Sequence, residues 1–396
     1  MNLAHNRSTT FPGTARLLTL LALAAVVSMC AVLRAEGPTA AAAPPKTTDR
    51  ESAGSEIATP VKRTRAEVEA LIDELGKTPP DWWESTQLRY PKTLDLTRWD
   101  APPNSKWDQN RTIGQFFWST INENPSRWKE GCRFAHFLMT TFKDDKPTLA
   151  TVMNEAAHIY GTLLGDYARA AFWYRKAAGI APLGYHENIR LAECYWKLGC
   201  KPMALEALNR MSSISGSTIK LLGDMGELPR ALAIAKRIAA DYPDEAYLAA
   251  GDACRFNGKY KEALDYYQRV VSLPTLTEQR GGDHRIRCQK MAAASAEAVR
   301  LFDTLDLRKI PDGKYVAEGL GYAGMVKVEV TVRSGRIEAV AVIEHKEKQF
   351  FTALEDAPRQ IIAKQSVKGI DMTTSATITA RAIVDATAKA LGSAMK

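Results

Sequence analysis

The stretch that decides the architecture is "MVKVEVTVRSGRIEAVAVIEH", residues 325–345. Val326, Val328, Val330 and Val332 alternate with Lys327, Glu329 and Thr331, the period of a strand with one buried and one wet face. "RSGR" supplies a tight turn. Ile337, Val340 and Val342 begin the return strand, with an irregularity expected near Ala339. A helix follows around "APRQIIAKQS", with Pro358 expected in its first turn. A second, amphipathic helix closes the chain, with Ile378, Ala382, Ile383, Ala386, Ala390 and Leu391 on one face. Strands followed by helices in so short a span make a small α+β domain, residues 310–396.

Upstream of residue 312 the period is helical, and over 146–300 it repeats. "LLGDYARAAFWYRKAAGIAP" (163–182), "KLGCKPMALEALNRM" (197–211), "DMGELPRALAIAKRIAADYP" (224–243) and "FNGKYKEALDYYQRVVSLP" (256–274) each carry a Gly, a polar pair, then small residues opening a helix. Gly165 and Gly199 stand 34 apart and Gly226 and Gly258 stand 32 apart, while the middle step is shorter. Ala170, Ala204, Ala231 and Ala263 hold equivalent places, where paired helices must approach closely. A period near 34 is that of tetratricopeptide helix pairs, and this region resembles such an array. Stacked pairs make a scaffold with a concave surface, suited to binding a protein partner or serving as a spacer.

Residues 62–145 form a Trp-rich helical region. A helix starts at "TRAEVEALIDELG", with Thr64 capping it, Glu67 completing a capping box and Gly76 ending it. Trp82, Trp83, Trp99, Trp107, Trp118 and Trp128 suit a small core where loops pack on helices better than a ring-stacking site. His136 and His158 fall on apolar helical faces and read as satisfied, partly buried histidines. The Asp283–His284 pair reads as surface.

At the N-terminus, Arg7 and Arg16 precede the uncharged run "LLTLLALAAVVSMCAVL" (17–33), and small residues follow. Residues 1–34 read as a signal peptide or a membrane anchor. Residues 35–61, rich in Ala, Pro, Thr and Ser, read as a disordered linker. Both place the remainder outside the cytoplasm, in the periplasm or anchored facing it. The 396 residues carry a formal charge of +8. There is no Lys/Arg block interleaved with aromatics, so a nucleic-acid partner is not indicated. The six cysteines contain no CxxC and no CxxCH, which removes zinc-ribbon, thioredoxin and c-type haem readings. Loss of Cys30 would leave an odd number, so buried free thiols are expected.

"DMTTSATITARAI", residues 371–383, contains more hydroxyls than helix capping needs. Together with "DGKYVAEGLGYAGMVKVEVTV" and "GRIEAVAVIEHKE", it makes the final domain resemble the FMN-binding domain family. That family includes the flavin-carrying subunits of sodium-pumping quinone reductases and Rnf-type electron-transport complexes. Its attachment motif runs Asp, two variable residues, Ser or Thr, usually Gly, then Ala and Thr. Here Asp371, Met372, Thr373, Thr374, Ser375, Ala376 and Thr377 hold those places, with Ser375 where Gly is commonest. The resemblance implies FMN esterified through its phosphate to Thr377. It implies attachment by an exported, magnesium-dependent flavin transferase that draws on FAD and recognises Asp371. Thr374 or Ser375 is expected to cap the last helix, with Thr377 in its first turn, where a helix N-terminus favours an anion. A Thr hydroxyl needs a base to act as nucleophile and the motif supplies none, so another enzyme must make the bond. Tyr315, Tyr322 and His345 are candidates to lie near the flavin ring.

The fold expected is multidomain: an all-α tetratricopeptide-like repeat array followed by a small α+β FMN-binding domain. The function expected is that of an exported electron-transfer flavoprotein serving a redox protein or membrane electron-transport partner. With no substrate-pocket signature and no catalytic or metal-ligating set, an electron carrier is favoured over an enzyme with its own substrate. Two alternatives stay open: a flavin-dependent extracytoplasmic reductase with its substrate site in the Trp-rich region, and an unflavinylated repeat-protein adaptor.

Overall fold

Among the described residues helix dominates as far as Phe302, and one small sheet follows it. The computed structural model describes residues 61–101, 105–211, 213–274, 276, 282–348, 352–371 and 376–395. The N-terminal segment read as a signal peptide or anchor, nearly all of the stretch read as a linker, and Thr374 and Ser375 of the attachment motif lie outside the described residues.

Helix α1 spans Arg65–Lys77. The Thr64 hydroxyl accepts the Glu67 N–H at 3.3 Å, and the Glu67 carboxylate accepts the Thr64 N–H at 2.7 Å. This is the capping box the sequence predicts. Gly76 does not end the helix, which runs on to Lys77. A Cβ at Gly76 would stand 2.2 Å from the Phe172 ring, so this glycine serves close packing rather than termination. A short helix, Ile113–Phe116, leads to α2, Trp128–Thr141. Phe116, Phe117 and Phe134 form a buried aromatic nest there, and Trp82, Trp83, Trp99 and Trp128 pack against the same core. Trp107 and Trp118 remain exposed. His136 sits edge-on between Trp83 and Trp173, at 4.7 and 4.9 Å, and burial pushes its imidazole down to about 4. His158 departs from the expectation of a satisfied histidine: its buried Nδ1 has no hydrogen-bond partner.

Four helix pairs then stack. They are α3 (Lys146–His158) with α4 (Tyr167–Ala178), α5 (Tyr185–Lys197) with α6 (Lys201–Asn209), α7 (Gly216–Asp224) with α8 (Leu228–Ile238), and α9 (Pro243–Phe256) with α10 (Tyr260–Val271). The glycines that mark the period turn the chain within each pair. Gly165, Gly199, Gly226 and Gly258 all have positive φ, between 71° and 93°. The four alanines that follow are fully buried, as helices in near contact require. A long helix, α11 (Gly282–Phe302), covers the last pair.

The sheet is a three-stranded antiparallel meander, β1 (Gly313–Leu320), β2 (Met325–Arg333) and β3 (Arg336–Glu344), in the order β1-β2-β3. Val326, Val328, Val330 and Val332 are fully buried on one face. The register slips where Thr331 faces Ala339 but Val332 faces Ile337, which leaves Glu338 as the extra residue beside the predicted irregularity. Helix α12 is Thr352–Lys364, and Pro358 lies in its middle rather than its first turn. The helix begins upstream of the apolar segment that suggested it.

Helix α13, Thr377–Ala394, closes the domain. It is not amphipathic. Every residue from Thr379 to Ala388 is buried, because the sheet covers one side while α11 and α9 cover others. Contact with the sheet is close enough that a Cβ on Gly319 of β1 would meet the Ala382 carbonyl oxygen at 2.0 Å. The five described cysteines, Cys132, Cys194, Cys200, Cys254 and Cys288, are buried free thiols. Among the described residues no helix is long and apolar enough to cross a membrane.

The helix-pair turns yield a contrast that mutagenesis can read. Gly165 has φ +71° with open space around it, so Gly165→Ala should cost about 1 kcal/mol, the steric cost of a left-handed alanine. Gly199 has φ +93°, and a Cβ there would lie 1.9 Å from the Val61 carbonyl oxygen. Gly199→Ala should therefore cost more than about 2 kcal/mol. Urea midpoints at unchanged slope measure both, and equal shifts for the two variants would contradict this account.

Candidate functional site

Two elements present the attachment motif. Asp371 follows α12, and Gln360 on that helix holds its backbone twice: the Asp371 N–H donates to Gln360 Oε1 at 2.8 Å and Gln360 Nε2 donates to the Asp371 carbonyl at 2.9 Å. Thr377 is the first residue of α13. Ala376 holds the cap position of this helix, and an alanine has no side-chain oxygen to offer the first N–H groups. Thr374 and Ser375, expected to cap it, lie outside the described residues. Ala376 itself is buried, whereas Thr377 keeps partial exposure.

The surroundings of the motif come from the repeats. Asp371 forms an ion pair with Lys197 at the end of α5. Beside it, on α7, Lys220 pairs with Asp224 one turn on. A narrow cavity of about 20 Å³ opens at Thr377 and is also lined by Lys220, Asp224 and Arg255. Lys197, Lys220 and Asp224, with Asp252 and Arg255 of α9, all stand on the first helix of their pair. The side of the array formed by these first helices is thus met, over these three pairs, by this chain's own C-terminal domain.

Burial alone would raise the Asp371 carboxyl, but the Lys197 and Lys220 ammonium groups outweigh it and hold it below the usual carboxylate range. Asp224 goes the other way. It is more deeply enclosed, and burial pushes it up to about 7 against the pull of Lys220. Deeper still, Arg255 pairs with Asp385 at 2.7 Å and Arg381 with Asp252 at 3.3 Å, all four side chains nearly fully buried. Ser295 donates to Asp385 at 3.1 Å, and Tyr267 donates to Asp252 at 2.8 Å. Arg255 Nη2 has no hydrogen-bond partner.

The other predicted site residues are scattered. Tyr322 lies in the turn after β1 and is largely exposed, with the Arg287 guanidinium 5.4 Å above its ring. His345 is exposed just beyond β3. Tyr315 belongs to the far end of β1, where its hydroxyl donates to the Pro311 carbonyl at 2.8 Å. Sequence reading missed Glu347. Its buried carboxylate accepts the Ala323 N–H at 3.2 Å and the Thr379 hydroxyl at 2.9 Å, which ties the glycine-rich turn to the first turn of α13. It also missed every lysine and arginine that the repeats contribute. No local pattern marks these groups, since their partners lie far along the chain. Asp244, His284 and Cys288 also converge, with potential ligand atoms within 4.8 Å of one another. Arg285 already neutralises Asp244 at 3.3 Å, and burial pushes the Cys288 thiol up to about 12, which keeps it protonated.

Comparison with known proteins agrees with this geometry. Residues 321–392 match the FMN-binding domain family, and residues 150–182 and 244–274 match the tetratricopeptide repeat. The chain therefore carries an FMN-binding domain behind a tetratricopeptide region. An uncharacterized protein of Treponema pallidum (strain Nichols) is 29% identical over 136 residues, which cover 34% of this chain and 38% of that protein. The chain thus spans well under half the length of the relative it matches. No solved structure matches it.

The residues at Thr377 fit the phosphate end of FMN: a hydroxyl, a helix N-terminus, a lysine, and an arginine with a donor to spare. A cavity of about 20 Å³ holds roughly one water and no flavin ring, so the ring's place is outside it.

The buried charge pairs define a stability test. Asp385→Ala would leave Arg255 without its counter-charge in the interior and should cost about 3–5 kcal/mol. Urea unfolding of the full chain measures this. A loss below about 1 kcal/mol would mean that water already reaches the pair.

Proposed function

We propose that this chain is an exported electron-transfer flavoprotein that carries FMN covalently on Thr377 through a phosphoester bond. The observation that carries the reading is the position of Thr377: first residue of a helix whose cap residue, Ala376, offers no side-chain oxygen, opening on a cavity with Lys220 and Arg255. A phosphodiester placed there meets helix N–H groups, the positive end of the helix dipole and two cationic side chains. When bound, the flavin supplies the redox chemistry. The chain's own residues fix its phosphate, and the turn at Tyr322, held by Glu347 to Thr379, borders the same helix end.

Among the described residues the cavity offers no histidine to take the Thr377 proton, and a threonine hydroxyl is a poor nucleophile without a base. A separate flavin transferase completes the site. In its reaction a bond forms between the Thr377 oxygen and the FMN phosphorus of FAD. The pyrophosphate bond breaks, AMP leaves, and the hydroxyl proton passes to a base of the transferase. A tethered flavin also suits the compartment that the N-terminal segment suggests, where a dissociating one would be diluted away. The electron partner is a redox protein or a membrane electron-transport component. Repeat faces not covered by the flavin domain are available to hold it.

Coexpression of the full chain with an active flavin transferase tests the reading. The chain should fluoresce under ultraviolet light on a denaturing gel and gain the mass of one FMN. Thr377→Ala should abolish both without loss of folded signal by circular dichroism. A colourless wild-type chain of unchanged mass would remove the covalent-flavin account and leave the adaptor reading.

A further inference from the structure

We propose that Lys220, on the third helix pair of the repeat array, is the cationic partner of the flavin's phosphodiester: it exchanges its pair with Asp224 for one with the phosphate, and Asp224 takes up a proton. The repeats would then be one wall of the flavin site rather than only a scaffold beside it. This inference rests on the attachment of FMN to Thr377.

Three observations support it. First, Lys220, Asp224 and Thr377 line one cavity, and Lys220 is 8% exposed, so its ammonium has little water to turn to. Second, Arg255 lines the same cavity while nearly fully buried, with Nη2 lacking a hydrogen-bond partner. A buried guanidinium donor without an acceptor is what an anion site presents before its anion arrives. Third, the surrounding charges balance without a ligand. Lys197 and Lys220 face Asp371 and Asp224, and Glu193 and Lys364 add one charge of each sign nearby. The Arg255–Asp385 and Arg381–Asp252 pairs are neutral in sum.

A phosphodiester brings one negative charge into this enclosure. The cheapest response is one proton gained on a carboxyl, because an unbalanced buried charge is costly. Asp371 is held ionised by two lysines, whereas Asp224 shares Lys220 alone as its direct partner and already sits close to neutral protonation. When Lys220 turns to the phosphate, Asp224 loses that partner and binds the proton. Other charged groups that act on Asp224 are Asp371, which favours the proton, and Lys197, which opposes it.

The test uses full-length chain loaded with FMN by coexpressed flavin transferase, checked by intact mass, and read by the phosphorus NMR resonance of the phosphodiester. The diester does not titrate near neutrality, so a pH dependence of its shift reports a neighbour. Wild type should show a shift that changes as the pH is raised above about 7, because losing Lys220 and gaining the phosphate both push the Asp224 carboxyl above the value it has beside Lys220. Asp224→Asn should still load FMN, with a pH-independent resonance. Lys220→Met should move the resonance and lower the rate of FMN incorporation by about tenfold, the scale of one charged hydrogen bond, and Lys220→Arg should restore most of it. A loaded Lys220→Met protein with wild-type resonance and rate overturns the proposal. If Lys220→Met does not fold, the Asp224→Asn arm decides, and a pH-dependent resonance in that variant overturns it. A wild-type chain that gains no FMN mass is a different failure, since it overturns the attachment on which the proposal rests.

Discussion

Arg255 and Asp385 are both almost wholly out of water, and neither could be so without the other. One belongs to the last repeat pair and the other to the final helix, so the two regions cannot part without exposing or stranding a charge. Arg381 and Asp252 make the same tie in the opposite sense, with the arginine on α13 and the carboxylate on α9. The two crossed pairs are directional. They admit one register of α13 against the array, whereas apolar contact alone would tolerate sliding. That register carries Thr377 to the cavity and Asp371 to Lys197. Placement of the attachment residue is therefore a consequence of charge pairing about one and two turns further along the same helix.

Local patterns revealed much of this architecture. The valine alternation marks β2, the Thr64 and Glu67 capping box marks the start of α1, and four glycines with four alanines mark the repeat turns. Each depends on neighbours within a few residues, and residue type alone records such constraints. The errors have one kind of cause. Gly76 looks like a stop signal but makes room for Phe172, which is distant in sequence. The last helix shows an apolar face and yet is buried on its polar sides too, because Arg381 and Asp385 are paired with opposite charges and Thr387 bonds the helix backbone. Thr387, for instance, returns its hydroxyl to the Ile383 carbonyl at 2.8 Å.

The site was half legible for the same reason. The order of residues from Asp371 to Thr377 is local and carries the attachment pattern. Lys197 and Asp371 are 174 residues apart, and nothing in the sequence around either announces the other. Glu347 reads as an ordinary charged residue at a strand end. Only the closeness of the turn at Ala323 to the first turn of α13 makes it a buried bridge. Charges that serve a site from another domain are the class least visible in a sequence, since a lysine on a helix is by default a solvated one.

The pattern of repeat similarity has a physical counterpart. The matched segments fall in the first and fourth helix pairs, while the second and third diverge. Those two pairs carry Lys197, Lys220 and Asp224, and their second and first helices, α6 and α7, are the shortest of the array at nine residues each. A repeat that only stacks on its neighbours can keep the small and apolar residues of its kind. Presenting charges does not by itself break that pattern, since the fourth pair supplies Asp252 and Arg255 and still matches. Local disagreement with a repeat's own rules is expected where a chain gives up stability for a site, and here the disagreement falls on two of the three pairs that face the attachment segment.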